Sequence, residues 1–369
     1  MRSCPTCSVG LHDKASAAPY AAIHVPASTE REKQQAEVMT RAPMSQNLDV
    51  IVTAGDRDAS RPVLGDNKAF LPLAGVPIIN YVLGAIEQAR CTARIFVVGD
   101  TDRLAAALAI PHAPWRSTRP LYLLEQGNTL YENVWNAFLH TLPDYTPGKD
   151  WRMYMGTPAV DKAILIMPGD IPLATPDEID AFVDSCDLSR YDYCLGLSAE
   201  SVLRSYYPQD GRPGIQMTYF TLRDLCVRQN NLHLVKPLRL GNRHYIQTVY
   251  NFRYQREWRN ILRLGWELCT TQTGSLRLAS YYLCLHVARL LTTLGWQHFR
   301  LLRPCFLELP VVASALSQLL QTRFTTVLTP YGGCALDIDN ADHFAAVSAN
   351  FEHWLAHQHA LAQERKQPN

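Results

Sequence analysis

The run Leu48-Asp49-Val50-Ile51-Val52, closed by Thr53-Ala54-Gly55, constrains this chain more than any other stretch. A short apolar run marks a strand buried on both faces, which belongs to a parallel sheet covered by helices. The small residues at its end let backbone amides come close to a ligand. A polar loop follows with Asp56, Arg57, Arg61 and Lys68, then Leu71-Pro72-Leu73-Ala74-Gly75-Val76-Pro77. Beyond it Ile78, Ile79, Val82, Leu83 and Ile86 recur at helical spacing, and Pro77 suits the first turn, where a missing N–H costs nothing. A strand that opens into a loop of glycine and cations before a helix favours an anion, because loop amides, the positive helix end and side-chain charge all act alike. Neither a Gly-Lys-Ser/Thr phosphate loop nor a G-x-G-x-x-G turn is present. An ordinary strand-to-helix turn with a solvated charged loop is the alternative for this stretch taken alone.

The alternation of strand and helix continues. Arg94 to Asp100 reads as a second buried strand, Leu104 to Ile110 as a short helix, and Leu121 to Leu124 as a third strand. Glu125-Gln126-Gly127-Asn128-Thr129-Leu130 comes next, before a helix carrying Tyr131, Val134, Trp135 and Phe138. Gln126 offers both a donor and an acceptor to a base edge, and Gly127 lets a base lie against the backbone; a Gly-Asn turn with Thr129 capping the helix is the alternative. The fourth strand, Ala163 to Met167, runs into Pro168-Gly169-Asp170-Ile171-Pro172-Leu173, so an aspartate stands where ligands of open α/β sheets bind, beyond the carboxyl ends of strands. Thr175-Pro176-Asp177-Glu178 then starts a capped helix.

Tyr193 to Leu197 and Met217 to Leu222 read as extended. Asn230 and Asn231 form an Asn-rich loop leading to a strand and Lys236, a candidate for an acceptor phosphate, with a solvated loop lysine as the alternative. Arg239, Arg243 and His244 add local positive charge. Residues 255–322 turn helical, with Trp258, Trp266 and Trp296 among apolar positions and arginines between them. This helical insertion could cover the acceptor site, dimerise or rest on a membrane surface. Thr325 to Leu328 returns to strand. In Leu336-Asp337-Ile338-Asp339, strand alternation puts both aspartates on one face, which is costly unless they are solvated or share a cation. Asp339 precedes Asn340-Ala341-Asp342 at a helix start, so capping is its alternative role. The helix from His343 to Leu361 ends the chain.

At 369 residues, 47% hydrophobic, the chain has material for a large core, and a net charge of +1 excludes broad electrostatic binding of nucleic acid. The ten cysteines are scattered, and the single C-x-x-C, Cys4 to Cys7, lacks the second pair a structural zinc needs. These features point to a reduced, cytoplasmic setting without a signal peptide. No uncharged apolar run reaches the ~18 residues of a transmembrane span. Residues 1–46 read as a mostly disordered leader, with Thr29 to Arg41 open to a short helix.

Ala54-Gly55, Arg61, Lys68, Leu71 to Pro77 and Gly169-Asp170-Ile171-Pro172-Leu173 together resemble the signature of GT-A-type nucleotidyltransferases. These are the sugar-nucleotide pyrophosphorylases and molybdenum-cofactor guanylyltransferase-like proteins. Asp56 departs from the pattern where a second small residue is usual, and the loop to Lys68 is longer. The resemblance spans 48–83, 124–138, 163–182 and 334–354. It implies a three-layer α/β/α, GT-A-like (Rossmann-like) domain over 47–254, interrupted by the 255–322 insertion and closed by 323–369. It further implies transfer of an NMP from an NTP to a small phosphorylated acceptor with release of pyrophosphate. The NTP would lie on Ala54, Gly55, Asp56, Arg61 and Lys68, with its base at Gln126, Gly127 and Asn128. Lys68, Arg61 and Asp170 would be catalytic, and Mg2+ (or Mn2+) would sit on Asp170 with Asp337 or Asp339. Two alternatives share the architecture: a glycosyltransferase using a nucleotide sugar, and a non-catalytic regulatory or scaffolding protein that binds nucleotides.

Overall fold

The computed structural model describes residues 47–57, 62–110, 113, 115–209, 211–243, 246 and 306–366, with isolated positions at 280, 281, 284, 287, 288 and 291. The expected leader, Cys4 and Cys7, Arg61, His244 and most of the 255–322 stretch therefore lie outside the described residues.

Strand β1 (Leu48–Thr53) is the centre of the molecule. It pairs in parallel with β4 (Thr92–Gly99) on one side and β6 (Ile164–Pro168) on the other. Its side chains alternate as the pleat requires: Val50 and Val52 enter one core, Ile51 the other, and all three are fully buried. Strand β5 (Leu121–Glu125) extends the sheet past β4, while β9 (Cys226–Val235), β7 (Tyr193–Ala199) and β10 (Phe324–Thr329) extend it past β6. Among these seven, β9 alone runs against the rest, pairing antiparallel with both β6 and β7. The short β8 (Phe220–Thr221) pairs with β9, and β2 (Pro72–Leu73) and β3 (Val76–Pro77) form a separate hairpin. Ala74 and Gly75 turn that hairpin with φ of 49° and 80°, the left-handed pair that a two-residue turn of matching twist demands.

Helices cover both faces, completing three layers. On the first face α1 (Ile78–Gln88) buries Ile79, Val82, Leu83 and Ile86, beside Leu104 of α2 (Thr101–Leu108) and Ile179, Phe182 and Val183 of α4 (Pro176–Asp184). Each such side chain stabilises the fold by roughly 1.5–3 kcal/mol through lost contact with water. α1 begins where Pro77, its N-cap, leaves no N–H to satisfy, and it ends at Ala89, whose backbone turns extended. On the second face lie Ala137 and Phe138 of α3 (Leu130–Thr141) and Leu319 and Leu320 of α6 (Leu309–Leu320). Between β7 and β8, α5 (Glu200–Leu203) is a single turn. A third cluster forms where α7 (Ala341–Lys366) sets Val347, Phe351 and Trp354 against Leu71, Leu73, Leu336 and Ile338.

Two local expectations change. Asn230 and Asn231 lie inside strand β9, not in a loop. Both are buried: Asn230 donates to Thr329 Oγ1 and Asn231 to the Cys334 carbonyl, at 2.9 Å each, so their polarity is matched internally. The segment 336–339 is not a strand; it is irregular backbone after a short 3-10 turn at Gly333–Ala335. Burial does not alternate either: Leu336, Asp337 and Ile338 are all buried, and only Asp339 stays partly exposed.

Candidate active site

The chain runs from β1 outward through β4 to β5, then returns to the other side of β1 as β6. That reversal opens a crevice beyond the carboxyl ends of β1 and β6. Lys68 enters it from a 3-10 turn, Lys68–Phe70, whose N-cap Asn67 accepts from Ala69 N–H and donates to the Ala54 carbonyl at 2.9 Å. The loop is thus pinned to the end of β1. Asp170, two residues past β6, lies 3.6 Å from Lys68 Nζ through Oδ2, and Asp339 Oδ1 accepts from the same Nζ at 3.1 Å. Gly169 lets the turn pass close to Ala54 and Ala69, whose Cβ atoms lie 3.4 Å from where its own would stand.

The electrostatics follow from this crowding. Burial acts most on Lys68 and would lower its pKa, but Asp170, Asp339 and Asp337 together hold it above the usual lysine value. Burial likewise lifts the Asp170 carboxyl to about 6, with Asp337 and Asp339 adding to the rise against the pull of Lys68. Three carboxylates face two cations here, because Arg228 Nη2 donates to Asp337 at 2.6 Å. Arg228 went unnoticed in the sequence. It reaches the site because β9 runs backwards, pairing Arg228 with Ser198 near the carboxyl end of β7.

On the other flank, Gln126 is buried one residue past β5 and both ends of its amide are taken by Asp56. Nε2 donates to Asp56 Oδ1 at 2.7 Å and Oε1 accepts from Asp56 N–H at 2.9 Å. Arg103 of α2 donates to Asp56 Oδ2 and to Asp66, with its guanidinium 4.3 Å from the centre of the Phe70 ring. Gly55 lets two side-chain ends approach the backbone: a Cβ there would stand 2.8 Å from Asn133 Nδ2 and 2.9 Å from Gln126 Oε1, and both would have to move. Gly127 N–H donates to Asn133 and Asn128 N–H to Glu132, while Thr129 and Glu132 form a capping box on α3.

The profile of the MobA-like NTP transferase domain matches residues 50–263, more than half of the chain. The chain belongs to that family. A hypothetical transferase from Thermus thermophilus is similar at 20% identity and a TM-score of 0.46, over 80% of this chain and 97% of its own. A 4-diphosphocytidyl-2C-methyl-D-erythritol synthase from Anaerococcus prevotii is similar at 8% identity and 0.38, over 84% and 99%. A CMP:2-keto-3-deoxy-manno-octonic acid synthetase complexed with CTP is similar at 13% identity and 0.39, again over 84% and 99%. No curated protein matches the chain.

As a MobA-like NTP transferase domain, the chain is a nucleotidyltransferase whose substrate is an NTP, which decides against the glycosyltransferase of the same architecture. Its mixed sheet, parallel but for β9 and its partner reversals, is GT-A-like. Of the expected site residues, Ala54, Gly55, Asp56, Lys68, Gln126, Gly127, Asn128, Asp170, Asp337 and Asp339 all gather at the carboxyl edge of this sheet. Lys236 does not. Val235 pairs with Ile164 and Tyr193, at the amino ends of β6 and β7, so Lys236 emerges on the opposite edge. There it is buried and bonded to the Leu188 carbonyl at 2.9 Å and to Asp161, with Asp192 at 3.7 Å. The antiparallel course of β9 is the reason: it carries Arg228 to the site and Lys236 away from it. Asn340, not Asp339, caps α7, accepting from His343 N–H at 2.8 Å.

Members of this family typically use Mg2+. Among the described residues no three metal-type side chains cluster closely enough to cage a cation by themselves. Asp170 and Asp339 do fit the ion, because Mg2+ is usually held by one or two carboxylates with substrate phosphates and water. No helix among the described residues is long and apolar enough to cross a membrane.

Proposed function

We propose that this nucleotidyltransferase moves an NMP from an NTP to a small phosphorylated acceptor and releases pyrophosphate. The observation that carries the reading is Lys68 Nζ lying between the carboxylates of Asp170 and Asp339 at the switch point of the sheet. A triphosphate needs cations at its leaving group, and Lys68, with Arg61 from the same loop, supplies them. Asp170 and Asp339 would hold Mg2+, which contributes charge neutralisation at the α-phosphate. Ala54 and Gly55 leave room for the ribose and α-phosphate along the backbone, and the base falls toward Gln126, Gly127 and Asn128. An acceptor phosphate is already ionised at neutral pH, so positioning in line with the α-phosphate is what the site has to provide.

The test is a pyrophosphate-release screen of four NTPs against a panel of phosphorylated acceptors, with Asp170→Asn beside the wild type. The variant loses a charge from the metal shell, and turnover is expected to fall at least ~100-fold with the melting temperature retained. Equal turnover in the two proteins would remove Asp170 from the mechanism.

A further inference from the structure

Segment 333–339 carries a carboxylate of the proposed metal site, yet beyond the turn Gly333–Ala335 it has no regular structure. Irregular backbone holds a functional group in place only when neighbouring groups fix it. Here the peptides are claimed one after another. Glu178 accepts from Cys334 N–H at 3.0 Å, and Asn231 donates to the Cys334 carbonyl at 2.9 Å. Ile338 N–H donates to the Asp170 carbonyl at 3.3 Å. Arg228 binds both backbone and side chain: Nε donates to the Ala335 carbonyl at 3.1 Å and Nη2 to Asp337 Oδ1 at 2.6 Å. Nη2 also lies 3.8 Å from Asp339 Oδ2.

We propose that Arg228 is a positioning residue for the metal site, and that Asp337 is its counter-ion and not a metal ligand. The two-armed hold on Ala335 and Asp337 turns Asp339 toward Asp170, with Lys68 between them. This inference rests on reading Asp170 and Asp339 as the metal carboxylates. The burial of the pair supports it, since the side chains of Arg228 and Asp337 are only 16% and 7% exposed. Charge-assisted hydrogen bonds are strong in such a place, and a cation on Asp337 would compete with Arg228 for the same carboxylate. Charge balance agrees. Arg228 cancels Asp337, so Asp170 and Asp339 share one lysine and can accept further positive charge. The guanidinium matters for its shape, because an ammonium is a point charge and cannot span two acceptors in a fixed fork.

The experiment is a Mn2+ titration of the full chain followed by electron paramagnetic resonance, with thermal melting in parallel. Arg228→Lys keeps the charge and removes the fork, so a loss of affinity reports geometry. It is expected to raise the Mn2+ Kd by about tenfold or more, the scale of a hydrogen bond to a charged group, while the melting temperature moves by no more than about 2 °C. Asp337→Asn, whose amide oxygen still accepts from Arg228 but no longer cancels its charge, should raise the Kd clearly less than Asp339→Asn, which should raise it at least about tenfold. Unchanged affinity in Arg228→Lys overturns the inference. So does an Asp337→Asn loss as large as that of Asp339→Asn, a result that stands even if Arg228→Lys melts early. A wild type that takes up no Mn2+, alone or with any of the four NTPs, overturns the metal reading itself, and the inference with it.

Discussion

Asp56 fills both hydrogen-bonding ends of the Gln126 amide, the group expected to meet a nucleobase. In this arrangement a base competes with a carboxylate that is itself steadied by Arg103. Asp56→Gly should therefore free Gln126 Nε2, while Oε1 stays on the backbone N–H of residue 56, and tighten Mg–NTP binding by about 1 kcal/mol, the net worth of one hydrogen bond, as read by calorimetry. Identical affinity in variant and wild type would mean that Gln126 serves only to hold the loop. Lys68→Ala should act in the opposite direction, weakening NTP binding by about 1.5–3 kcal/mol, the scale of a hydrogen bond to a charged group. A lysine with no part in the triphosphate site would leave the isotherm where it was. Asp170 could be found in the sequence because it stands just past an apolar strand, and Lys68 because it closes the loop of glycine and cations before a helix. The Asp56–Gln126 pair could not, since its members are 70 residues apart and meet only because β1, β4 and β5 lie side by side.

Among the elements, α4 reaches furthest from its own position. Its Glu178 is fully buried and accepts from Cys334 N–H, while Oε1 has no hydrogen-bond partner among the described residues. Burial pushes this carboxyl up to about 7, with the Cys334 and Gly333 amides pulling against it. The folded state thus prefers the neutral form. Its contribution to stability is whole below the unfolded value near 4.5 and fades as pH rises through about 7. Chemical denaturation from pH 4.5 to 8 should show a fall of about 3 kcal/mol in the wild type that Glu178→Gln lacks; parallel curves for the two proteins would count against the assignment. Nearby, Gly333 is fixed by space alone, since a Cβ would stand 2.0 Å from the Leu173 carbonyl oxygen. Gly333→Ala should cost about 1–3 kcal/mol of stability on the same measurement, the usual penalty of overpacking. Strands β1, β4, β5, β6, β7 and β10 were legible as apolar runs. Only the second half of β9 was, because Asn230 and Asn231 read as a loop before it. Asn230 is tolerated inside the sheet because Gly196, its neighbour across the ladder, has no side chain to collide with it. With β9 went its direction, and with its direction both the presence of Arg228 and the absence of Lys236.

At the level of the whole molecule, the layered arrangement was readable from the alternation of strand and helix, while the meeting of Asp170 with Asp337 or Asp339 was expected only from the family resemblance. Lys68 and Asp339 are 271 residues apart and touch at 3.1 Å. That separation has a consequence during synthesis. A ribosome releases β1, Lys68, β5 and β6 long before β10 and segment 333–339 emerge, so the proposed site would be incomplete on a nascent chain. Lys68 then has Asp170 beside it but no second carboxylate, and the face of Leu71 and Leu73 that α7 covers stands open to water. A chain broken before residue 339 would keep Lys68 and Asp170 side by side but lack the carboxylate that the proposed metal site takes from segment 333–339.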